Sequence, residues 1–453
     1  MGNPLVKIIG FTTTDEKVCA AGGRISTQEG TALQIWEKSQ DKEKNENLIF
    51  KVTQSGHNST VEHAYFNLVF DDVSVVTEQF MIEFRLCSFT IKSRRYVDFG
   101  NVGYIIPDFN NDDIKNKYIS HMDNLFAFYN KMVEAGVPKE DARFVLPYCF
   151  KSNFFCSLNG RELIHVIEAM LYGRGKNNPE IVSLGNMLLE QAKELAPGVF
   201  KNFEERHSKY NDNLDLKFKS VKKYENKPLT ELLSFTENAE KVVAQSALLQ
   251  YNEFAKEEID DILSDNENIK NIVCEVIKND RPRALESINY TFRLNNVSLA
   301  CLTHFSRHRI QSINIPPISI SDRGSYVLPD TVVDAGLKNE YINCFKETLD
   351  LYNEMKDKGI SEDILTYVLL AGNTVDFTLT MNARELLLFM KLRSCTRAQW
   401  EIQNYANEML DSLRKVSPLV FNFYGPSCYV TGVCPEGRLS CGKAKEMKEK
   451  YSV

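Results

Sequence analysis

The feature of this chain that most constrains its fold is an internal repeat. Residues 11–20 read FTTTDEKVCA and residues 235–244 read FTENAEKVVA, at an offset of 224 positions. The same offset superposes identical residues along much of both halves: Glu62 on Glu286, Val73 on Val297, Ser74 on Ser298, Arg85 on Arg309 and Ser88 on Ser312. After a slip of one residue, NGREL (159–163) superposes on NAREL (382–386). A register that holds over this distance indicates a tandem duplication.

The long period predicts two copies of one domain, because the repeats of a solenoid are much shorter. Between the copies lies KKYENKPLT (222–230), a polar stretch that contains proline and is typical of a junction. We therefore expect one domain over residues 1–224 and a second over residues 225–453. Hydrophobic residues make up 43% of the chain, which is enough to build a sizeable core.

Each copy contains a segment that is rich in aromatic and β-branched residues. AYFNLVF (64–70) and SINYTFRL (287–294) have the composition of strands. A short turn (DDV or NNV) follows each strand, and then Ser74 or Ser298, which are good helix N-caps. Apolar residues at helical spacing predict helices over residues 117–136, 161–172, 180–196, 340–358, 384–393 and 398–414. Each copy is therefore predicted to be an α+β domain, with a sheet followed by several helices.

The composition and charge of the chain argue against nucleic acid and membrane as partners of this protein. Lys and Arg number 54 against 61 Asp and Glu, a formal net charge of −7, which argues against a duplex-binding protein with a basic face. No apolar run approaches the roughly 18 to 20 residues that cross a bilayer. The first residues, MGNPLVK, have no apolar core typical of a signal peptide. The 11 Cys are then expected to be reduced thiols in a cytoplasmic protein that binds neither nucleic acid nor membrane.

Two basic clusters are candidates for binding an anion. RHR (307–309) places two guanidinium groups beside an imidazole near a predicted helix end, and Arg offers planar bidentate donors to phosphate. In the first copy, KSRRY (92–96) combines hydroxyl, guanidinium and phenol groups, which suits a nucleotide phosphate with a stacked ring. Taken alone, each cluster is about equally typical of an ordinary basic turn or loop. There is no G-x-G-x-x-G after a strand and no P-loop, so neither backbone cradle for phosphate is indicated.

An Asn-x-Arg pattern opens a predicted helix in each copy. Asn159 and Asn382 suit N-caps, and Arg161 and Arg384 follow them. Survival of the pattern in both copies favours at least a shared packing role. Arg393 lies nine residues after Arg384, which puts the two side chains on opposite sides of an ideal helix. Either the helix is distorted or the two arginines serve different sites.

The cysteine and histidine patterns give no strong metal signal. Cys428, Cys434 and Cys441 have C-x5-C-x6-C spacing, which is one thiol short of a closed zinc site. A disordered or packed tail is the default interpretation, and a metal is the alternative. His57 and His63 are six residues apart, which is not the spacing of a helical zinc pair. We predict no metal, and no Ser or Cys has the neighbours of a catalytic nucleophile.

Together these motifs resemble those of the flavin-dependent thymidylate synthases. That family has the signature RHRxxSxNxxSxRY, preceded by HxTPFEH and followed by ARxVLP and NxRxL. In the second copy, RHRIQSIN (307–314) is similar to the first part of the signature, and NARELLLFMKLR (382–393) with AQWEI (398–402) is similar to the last catalytic helix. The matching segments of the first copy are HNSTVEH (57–63), SFTIKSRRY (88–96), ARFVLP (142–147) and NGREL. The resemblance implies two α+β copies, each a mostly antiparallel sheet with packed helices.

The two copies depart from the family pattern in nearly complementary ways. The first copy lacks most of the RHR triplet and the late arginine, and the residues at those positions are Glu83, Phe84 and Met170. The second copy lacks S-x-R-Y and the Arg of ARxVLP, and the residues there are Pro317, Ser319, Ile320 and Thr366. Thus the first copy retains what the family uses for the nucleotide phosphate, and the second retains what it uses for the flavin.

The resemblance implies a role for individual residues. Those implied to bind FAD are Ser59, Arg307, His308, Arg309, Asn382 and Arg384. Those implied to bind the nucleotide are Ser93, Arg94, Arg95, Arg143 and Arg393, with Gln79 as a further contact to the base or ribose. Arg393 is also the implied catalytic residue, since it would stabilise negative charge that develops on the pyrimidine.

The implied reaction is the reductive methylation of dUMP to dTMP. FAD reduced by NADPH would supply the hydride, and methylenetetrahydrofolate would supply the carbon. Active sites of the family are assembled from several chains of a homotetramer, so the complementary losses imply composite sites between unlike halves of a homodimer that forms a pseudo-tetramer. Neutral decay of both copies is the alternative. For the function, the alternatives are an enzyme that alkylates C5 of another pyrimidine nucleotide and a non-catalytic flavin- or nucleotide-binding regulator.

Overall fold

The computed structural model describes residues 3–12, 15–214, 216, 218, 228–318 and 322–452. Ser319, Ile320 and most of the predicted junction at 222–230 lie outside the described residues. The strands are β1 (Leu5–Phe11), β2 (Tyr65–Ser74), β3 (Ser88–Ile91), β4 (Lys151–Asn159), β5 (Thr230–Phe235), β6 (Asn289–Ser298), β7 (Ser312–Asn314), β8 (Asp322–Tyr326) and β9 (Asn373–Asn382).

The helices of the first half are α1 (Asp15–Ile25), α2 (Ala32–Lys38), α3 (Lys42–Gln54), α4 (Val75–Ile82), α5 (Asp112–Glu134), α6 (Lys139–Ala142), α7 (Gly160–Leu171), α8 (Pro179–Leu195), α9 (Pro197–Phe200) and α10 (Phe203–His207). Those of the second half are α11 (Ala239–Tyr251), α12 (Lys256–Ile262), α13 (Asn266–Lys278), α14 (Leu299–Phe305), α15 (Asp330–Asp334), α16 (Lys338–Asp357), α17 (Glu362–Leu365), α18 (Ala383–Arg393), α19 (Trp400–Val416), α20 (Pro418–Phe421), α21 (Ser427–Val430) and α22 (Ala444–Tyr451). Short 3-10 segments include Asn58–His63 and Arg283–Ser287. The six helices predicted from apolar spacing are confirmed as α5, α7, α8, α16, α18 and α19.

The chain forms two compact units whose limits differ from those of the sequence repeat. Unit 1 comprises the described residues of 1–221 and 328–371, and unit 2 comprises those of 222–327 and 372–453. Residues 328–371 belong to the second copy by sequence, yet they pack within unit 1. The domain limits 1–224 and 225–453 therefore stay a prediction about the repeat and are not the limits of the compact units.

Both units contain an antiparallel sheet with the same order of strands. In unit 1 the order is β1-β2-β4-β3, and in unit 2 it is β5-β6-β9-β7, with β8 also paired to β9. The registers correspond as well, since Tyr65 pairs with Asn159 and Asn289 pairs with Asn382. The predicted fold class, α+β with mostly antiparallel sheets, is confirmed.

A bulge lies in each sheet where the sequence predicted a turn. β2 continues to Ser74 and β6 continues to Ser298, and each shows a register shift shortly before its end. Asp72 and Asn296 lie in these bulges with φ of 53° and 57°, a left-handed conformation that Asp and Asn tolerate better than most residues. The turns predicted at DDV and NNV are wrong, because the backbone bends there and the ladder then resumes.

One face of each sheet is apolar and forms part of a core. Phe66 and Phe70 alternate along β2, and Tyr290 and Phe292 lie on β6; all four side chains are buried. In unit 1 the core cluster extends from the sheet to apolar residues of α1, α3, α7 and α8. Burying each such side chain contributes roughly 1.5–3 kcal/mol, so these faces set how the helices lie on the sheet.

The predicted serine caps are confirmed and hold the helices that follow the central strands. Ser74 Oγ accepts a hydrogen bond from the Thr77 N–H at 3.1 Å, which begins α4. Ser298 Oγ accepts one from the Cys301 N–H at 2.9 Å, which begins α14. In unit 2, the backbone N–H of Ser298 also donates to the buried Glu401 carboxylate at 2.8 Å. The direction of α14, and with it the RHR triplet, is therefore set at the end of β6.

His121 predicts a pH dependence of the stability of unit 1. It lies on α5, and its Nε2 is 2.8 Å from Thr348 Oγ1 on α16. Burial lowers the pKa of His121 to about 4, so the unfolded chain binds a proton below pH 6.5 that the folded chain binds only near pH 4. Folding stability therefore falls as the pH falls through this window, by about 2 kcal/mol between pH 7 and pH 5.

Urea unfolding of wild type and His121→Gln at pH 7 and pH 5 would test this dependence. Glutamine keeps a donor for Thr348 but does not titrate, so the variant should lose less stability between the two pH values than wild type does. Identical losses in both proteins would show that other groups cause the pH dependence.

Two further structural observations concern membrane spans and thiols. Among the described residues, no helix is both long enough and apolar enough to cross a membrane. All 11 cysteines carry free thiols in the structure, and Cys428, Cys434 and Cys441 are partly exposed.

Candidate active site

In unit 2, the RHR triplet directly follows α14 and alternates in exposure. His308 is buried, whereas Arg307 and Arg309 on either side are exposed. The Gln311 carboxamide donates to the Phe305 carbonyl at 2.7 Å and ties the segment back to the end of α14. The imidazole is thus buried within the unit, and the two arginine side chains beside it are exposed.

His308 links two charged residues of α18. Its Nδ1 is 2.9 Å from Glu385 Oε1, and its Nε2 is 3.0 Å from Arg393 Nε, which can only donate. The imidazole Nε2 must therefore accept, which leaves the proton on Nδ1 for the Glu385 carboxylate. Burial lowers the pKa of His308 and the Arg393 guanidinium lowers it further, while the hydrogen bond to Glu385 opposes both. A neutral imidazole consequently positions Arg393 at neutral pH.

The two ends of α18 hold the residues of this network in place. The Asn382 side chain accepts a hydrogen bond from the Glu385 N–H at 2.9 Å and caps the helix, as predicted. At the last residue of the helix, Arg393 Nη2 donates to the His304 carbonyl at 3.2 Å. Two of the guanidinium nitrogens of Arg393 thus have fixed partners on and beside α14.

Arg384 lies at the opposite end of α18 and has a different partner. Its Nη1 pairs with the Glu286 carboxylate at 2.5 Å, in the 3-10 segment before β6. The hydrogen bond to Arg384 lowers the pKa of Glu286. The two arginines therefore serve different positions, which is the second of the two alternatives that the helix geometry left open.

The corresponding positions of unit 1 have lost this network. Phe84 and Met170 replace His308 and Arg393, and both are buried among apolar residues. Glu83 replaces Arg307 and lies 3.6 Å from the Arg174 guanidinium. Burial raises the pKa of Glu83, which Arg174 opposes. An acid and an aromatic ring at these positions do not suit an anionic ligand.

Unit 1 instead contains the second basic cluster, in which Arg94 has an internal acid as its partner. The Arg94 guanidinium forms a buried ion pair with Glu78 on α4, and its side chain is 10% exposed against 1% for Glu78. Ser152 Oγ donates to the same carboxylate, and the Phe150 ring lies 4.9 Å from the guanidinium carbon. Arg94 therefore has a structural role in this state of the protein.

Arg95 and Arg143 converge on one residue, Glu140. Arg95 Nε donates to the Glu140 carboxylate at 2.5 Å, and Arg143 Nε donates to the Glu140 backbone carbonyl at 3.0 Å. The Arg95 N–H also donates to Ser93 Oγ at 3.3 Å. The structure thus brings Ser93, Arg95 and Arg143 together around Glu140.

Two buried polar atoms near these residues have no hydrogen-bond partner within the described chain. They are Arg94 Nε and Gln79 Oε1. The Gln79 amide nitrogen donates to Glu83 Oε1 at 3.3 Å, which orients its carboxamide. Buried polar groups are rarely left without a partner, so these atoms fit a site that takes a polar ligand.

Ser59 is the one predicted flavin residue that lies in the other unit. It is exposed in the 3-10 segment Asn58–His63 of unit 1, whereas the other flavin candidates belong to unit 2. At the corresponding position of unit 2, Arg283 pairs with Glu286 at 3.3 Å. Arg283 was not predicted from the sequence.

Three acids that orient the predicted residues were also missed: Glu78, Glu140 and Glu385. Each is far along the chain from its basic partner, so no local pattern marks the pair. For Glu385 a signal was present, because it belongs to the repeated motif NGREL/NAREL together with the capping Asn382.

Comparisons with known proteins match both halves of the chain. The family model "Thymidylate synthase complementing protein" matches residues 7–198 and again residues 231–419. The flavin-dependent thymidylate synthase of Clostridium tetani is 35% identical over 240 residues, covering 49% of this chain and 96% of that protein. The enzyme of the same name from Geobacter sulfurreducens is 32% identical over 225 residues, with 49% and 96% covered.

A solved structure also aligns, that of the UMP/dUMP methylase PolB from Streptomyces cacaoi bound with 5-Br dUMP. It is 18% identical, covers 46% of this chain and 97% of that one, and has a TM-score of 0.39. At that level of agreement it does not bear on the substrate of this chain.

The family model matches each half separately, which agrees with a tandem duplication. The relatives match over nearly their whole length at more than 30% identity. The chain therefore belongs to the thymidylate synthase complementing protein family of enzymes, whose matched members are flavin-dependent thymidylate synthases.

Proposed function

We propose that this protein is a flavin-dependent thymidylate synthase that converts dUMP to dTMP. The observation that carries the proposal is the linked arrangement of Glu385, His308 and Arg393 in unit 2, of which unit 1 retains only the acid, Glu162. The names of the matched relatives support the flavin and the thymidylate product. NADPH as reductant and methylenetetrahydrofolate as carbon donor complete the proposal by resemblance to the family.

The donor set of unit 2 fits an FAD diphosphate. Arg307 and Arg309 are exposed on either side of His308, and the Arg384 side chain is 41% exposed. Guanidinium groups bind phosphate oxygens through paired N–H donors. Arg307, His308, Arg309, Asn382 and Arg384 would hold the cofactor. When bound, FAD would supply the hydride for reduction of the transferred carbon.

Arg393 would act on the pyrimidine. With Nε held by His308 and one terminal nitrogen held by the His304 carbonyl, its guanidinium is oriented before the substrate arrives. A fixed positive charge beside the uracil carbonyl stabilises the negative charge that raises the nucleophilicity of C5. No covalent enzyme thiol is required for this activation.

Ser93, Arg95 and Arg143 would hold the 5′-phosphate, with Gln79 near the base or ribose. Glu140 keeps Arg95 and Arg143 together, and the phosphate would replace its carboxylate as the partner of Arg95. Arg94 contributes by supporting the cluster through Glu78. Holding the nucleotide rigidly accounts for part of the rate by lowering the entropy lost on reaching the transition state.

The clamp and the flavin residues belong to different copies of the repeat, and this division supports composite sites. We propose that the chain forms a homodimer, a pseudo-tetramer of four domain copies, in which each working site combines the clamp of one copy with the flavin residues of another. The cytoplasmic location and the absence of nucleic-acid and membrane partners remain predictions.

An absorbance spectrum of the purified full-length protein tests the function most directly. We expect visible flavin bands that shift when dUMP is added and not when UMP is added, together with dTMP formation from dUMP, NADPH and methylenetetrahydrofolate. A shift with UMP or a modified nucleotide would instead favour a C5-alkylating enzyme with another substrate. Protein that takes up flavin but forms no product would favour a regulator.

Matched substitutions identify the copy that binds the flavin. Arg384→Ala is expected to weaken FAD binding about 10- to 100-fold, because it removes charged hydrogen bonds to the cofactor. Arg161 occupies the same position in unit 1 and has the same type of partner, Glu62 at 2.8 Å, so Arg161→Ala should leave FAD affinity unchanged. Both ion pairs are about one third or more exposed to solvent, so neither variant should lose much stability.

Titration of apo-protein with FAD, followed by flavin fluorescence, measures both variants. The assignment of the flavin to unit 2 would be overturned by a larger loss of affinity in Arg161→Ala than in Arg384→Ala.

A further inference from the structure

The part of unit 2 that lies beyond the family match contacts the helix that carries Arg393. The family model matches the second half as far as residue 419, and the described chain continues over residues 420–452, the C-terminal segment, through α21 and α22. Both this segment and α18 belong to unit 2. α21 packs on α18, and α22 packs on α21. The C-terminal segment therefore lies against α18.

Three hydroxyl groups of the C-terminal segment donate to backbone carbonyls of α18 and of the residue that follows it. The pairs are Tyr424 with Ala383 at 2.9 Å, Ser427 with Lys391 at 3.3 Å, and Tyr451 with Ser394 at 3.1 Å. The first pair is at the first residue of the helix, and the other two are at its last turn and its C-cap. The segment thus holds both ends of α18.

Tyr451 is itself held by residues of α19. Its side chain is 3% exposed, and its hydroxyl lies 2.6 Å from Asn407 Oδ1. Arg414 Nη2 donates to the Tyr451 carbonyl at 2.8 Å and to the Tyr424 carbonyl at 3.2 Å. Because its ring is buried and both its hydroxyl and its carbonyl have partners on α19, Tyr451 presents its hydroxyl to the Ser394 carbonyl from a fixed position.

Ser394 is the backbone neighbour of Arg393, the last residue of α18. It is fully buried, and its carbonyl accepts from Gln403 Nε2 at 3.2 Å as well as from Tyr451 OH. The last carbonyls of a helix have no partner within the helix, so helix ends fray unless other groups bind them. The contacts to α14 hold the guanidinium of Arg393, whereas Tyr451 and Gln403 hold the backbone that carries it.

The matching part of unit 1 lacks the hydroxyl that holds the start of the helix. Tyr424 lies three residues after α20, and Phe203 lies three residues after the corresponding helix of unit 1, α9. Phe203 is buried and has no hydroxyl. Unit 1 also lacks the arginine, since Met170 is at the position of Arg393. The hydroxyl contact and the catalytic arginine thus occur in the same copy.

We propose that Tyr451 is a positioning residue for the reaction: through the Ser394 carbonyl it fixes the end of α18 and thereby the place of Arg393. This inference rests on the proposed function, in which Arg393 acts on the pyrimidine. Without the hydroxyl, the Ser394 carbonyl keeps the contact to Gln403, and the end of the helix is freer to move. A small displacement of a group that contacts the reacting atoms is enough to lower the rate.

Tyr451→Phe in the full-length protein removes the hydroxyl and keeps the ring. We expect kcat for dTMP formation to fall about 3- to 10-fold, the effect of losing one hydrogen bond. The KM for dUMP and the affinity for FAD should stay at their wild-type values, because the clamp and the flavin residues are unchanged. Tyr429→Phe is the matched control, since the Tyr429 hydroxyl donates to the Asn422 carbonyl at 2.8 Å within the same segment. An equal fall of kcat in both variants, or no fall in Tyr451→Phe, would overturn the proposal.

Combining Tyr451→Phe with Arg393→Ala tests whether the tyrosine acts through the arginine. In Arg393→Ala the hydroxyl has no guanidinium to position, so adding Tyr451→Phe should change kcat less than about twofold. A further 3- to 10-fold fall in the double variant, roughly the full effect of the single substitution, would show that Tyr451 does not act through Arg393.

Hydrogen exchange of the full-length protein, followed by mass spectrometry, distinguishes a failure of this proposal from a failure of the proposed function. Peptides that cover residues 389–397 report on the end of α18 and should exchange about 3- to 10-fold faster in Tyr451→Phe than in wild type or Tyr429→Phe. Unchanged exchange in Tyr451→Phe would overturn the proposal. Wild-type protein that forms no dTMP would instead overturn the proposed function, and the exchange rates would still decide whether Tyr451 holds the end of the helix.

Discussion

Replacing Arg393 with alanine is expected to lower the turnover of dUMP about 100- to 1000-fold, the loss typical of removing one preorganised donor from an active site. The guanidinium is held from two sides, by His308 at 3.0 Å and by the His304 carbonyl at 3.2 Å, so its charge needs little reorganisation when the substrate reacts. Steady-state kcat at saturating FAD and dUMP measures the effect, and the flavin spectrum shows whether the cofactor site is intact.

Two further variants separate charge from position. Arg393→Lys keeps a positive charge but loses the planar fork that contacts both partners, so we expect an intermediate turnover. Lys391→Ala removes a charge from the same last turn of α18 without touching His308, and it should be close to wild type. Wild-type turnover in Arg393→Ala would contradict the assignment of Arg393 as a catalytic residue.

Arg94→Ala is expected to cost unit 1 about 3–5 kcal/mol of unfolding free energy, because it leaves a buried carboxylate without its countercharge. The Glu78 side chain is 1% exposed, and apart from Arg94 the donor to it is the Ser152 hydroxyl. Denaturant unfolding at neutral pH measures the loss. The largest effect of this variant should thus be on folding, although the resemblance places Arg94 among the nucleotide ligands.

The neighbouring arginine provides the matched control. Arg95 pairs with Glu140 near the surface, where both side chains are about one quarter exposed, so Arg95→Ala should change stability by less than about 1 kcal/mol. It should instead raise the KM for dUMP about tenfold or more, through the lost phosphate contact.

In the double variant Arg94→Ala/Glu78→Gln, removal of both charges should restore much of the stability. Strictly additive losses would contradict a direct pairing of Arg94 with Glu78.

The repeat was predictable because similar residues recur at one offset along the chain, and the local structure was predictable because it depends on neighbouring residues. The serine caps at Ser74 and Ser298, the asparagine caps at Asn159 and Asn382, and six helices follow from local spacing and are confirmed. The turns at DDV and NNV were not predicted correctly. Paired polar residues suggest that a strand ends there, but left-handed Asp72 and Asn296 absorb the extra residue as a bulge.

The candidate site was predictable only in part. The basic motifs were visible in the sequence, but their acidic partners were not, since His308 and Glu385 are 77 residues apart and Arg95 and Glu140 are 45 apart. These long-range pairs decide which arginine forms an ion pair with an acid of the same chain. The sequence therefore predicted the types of residue at the site better than it predicted the partner of each side chain.

Local periodicity and the repeated motifs were sufficient to predict the duplication, the fold class and the family resemblance. Each of these depends on residues that are close together in the sequence or that recur at one offset. Long-range contacts were needed to place residues 328–371 in unit 1 and to pair Arg94 with Glu78. The reason is physical: burial and charge pairing depend on which distant segments the folded core brings together, and no local pattern encodes that choice.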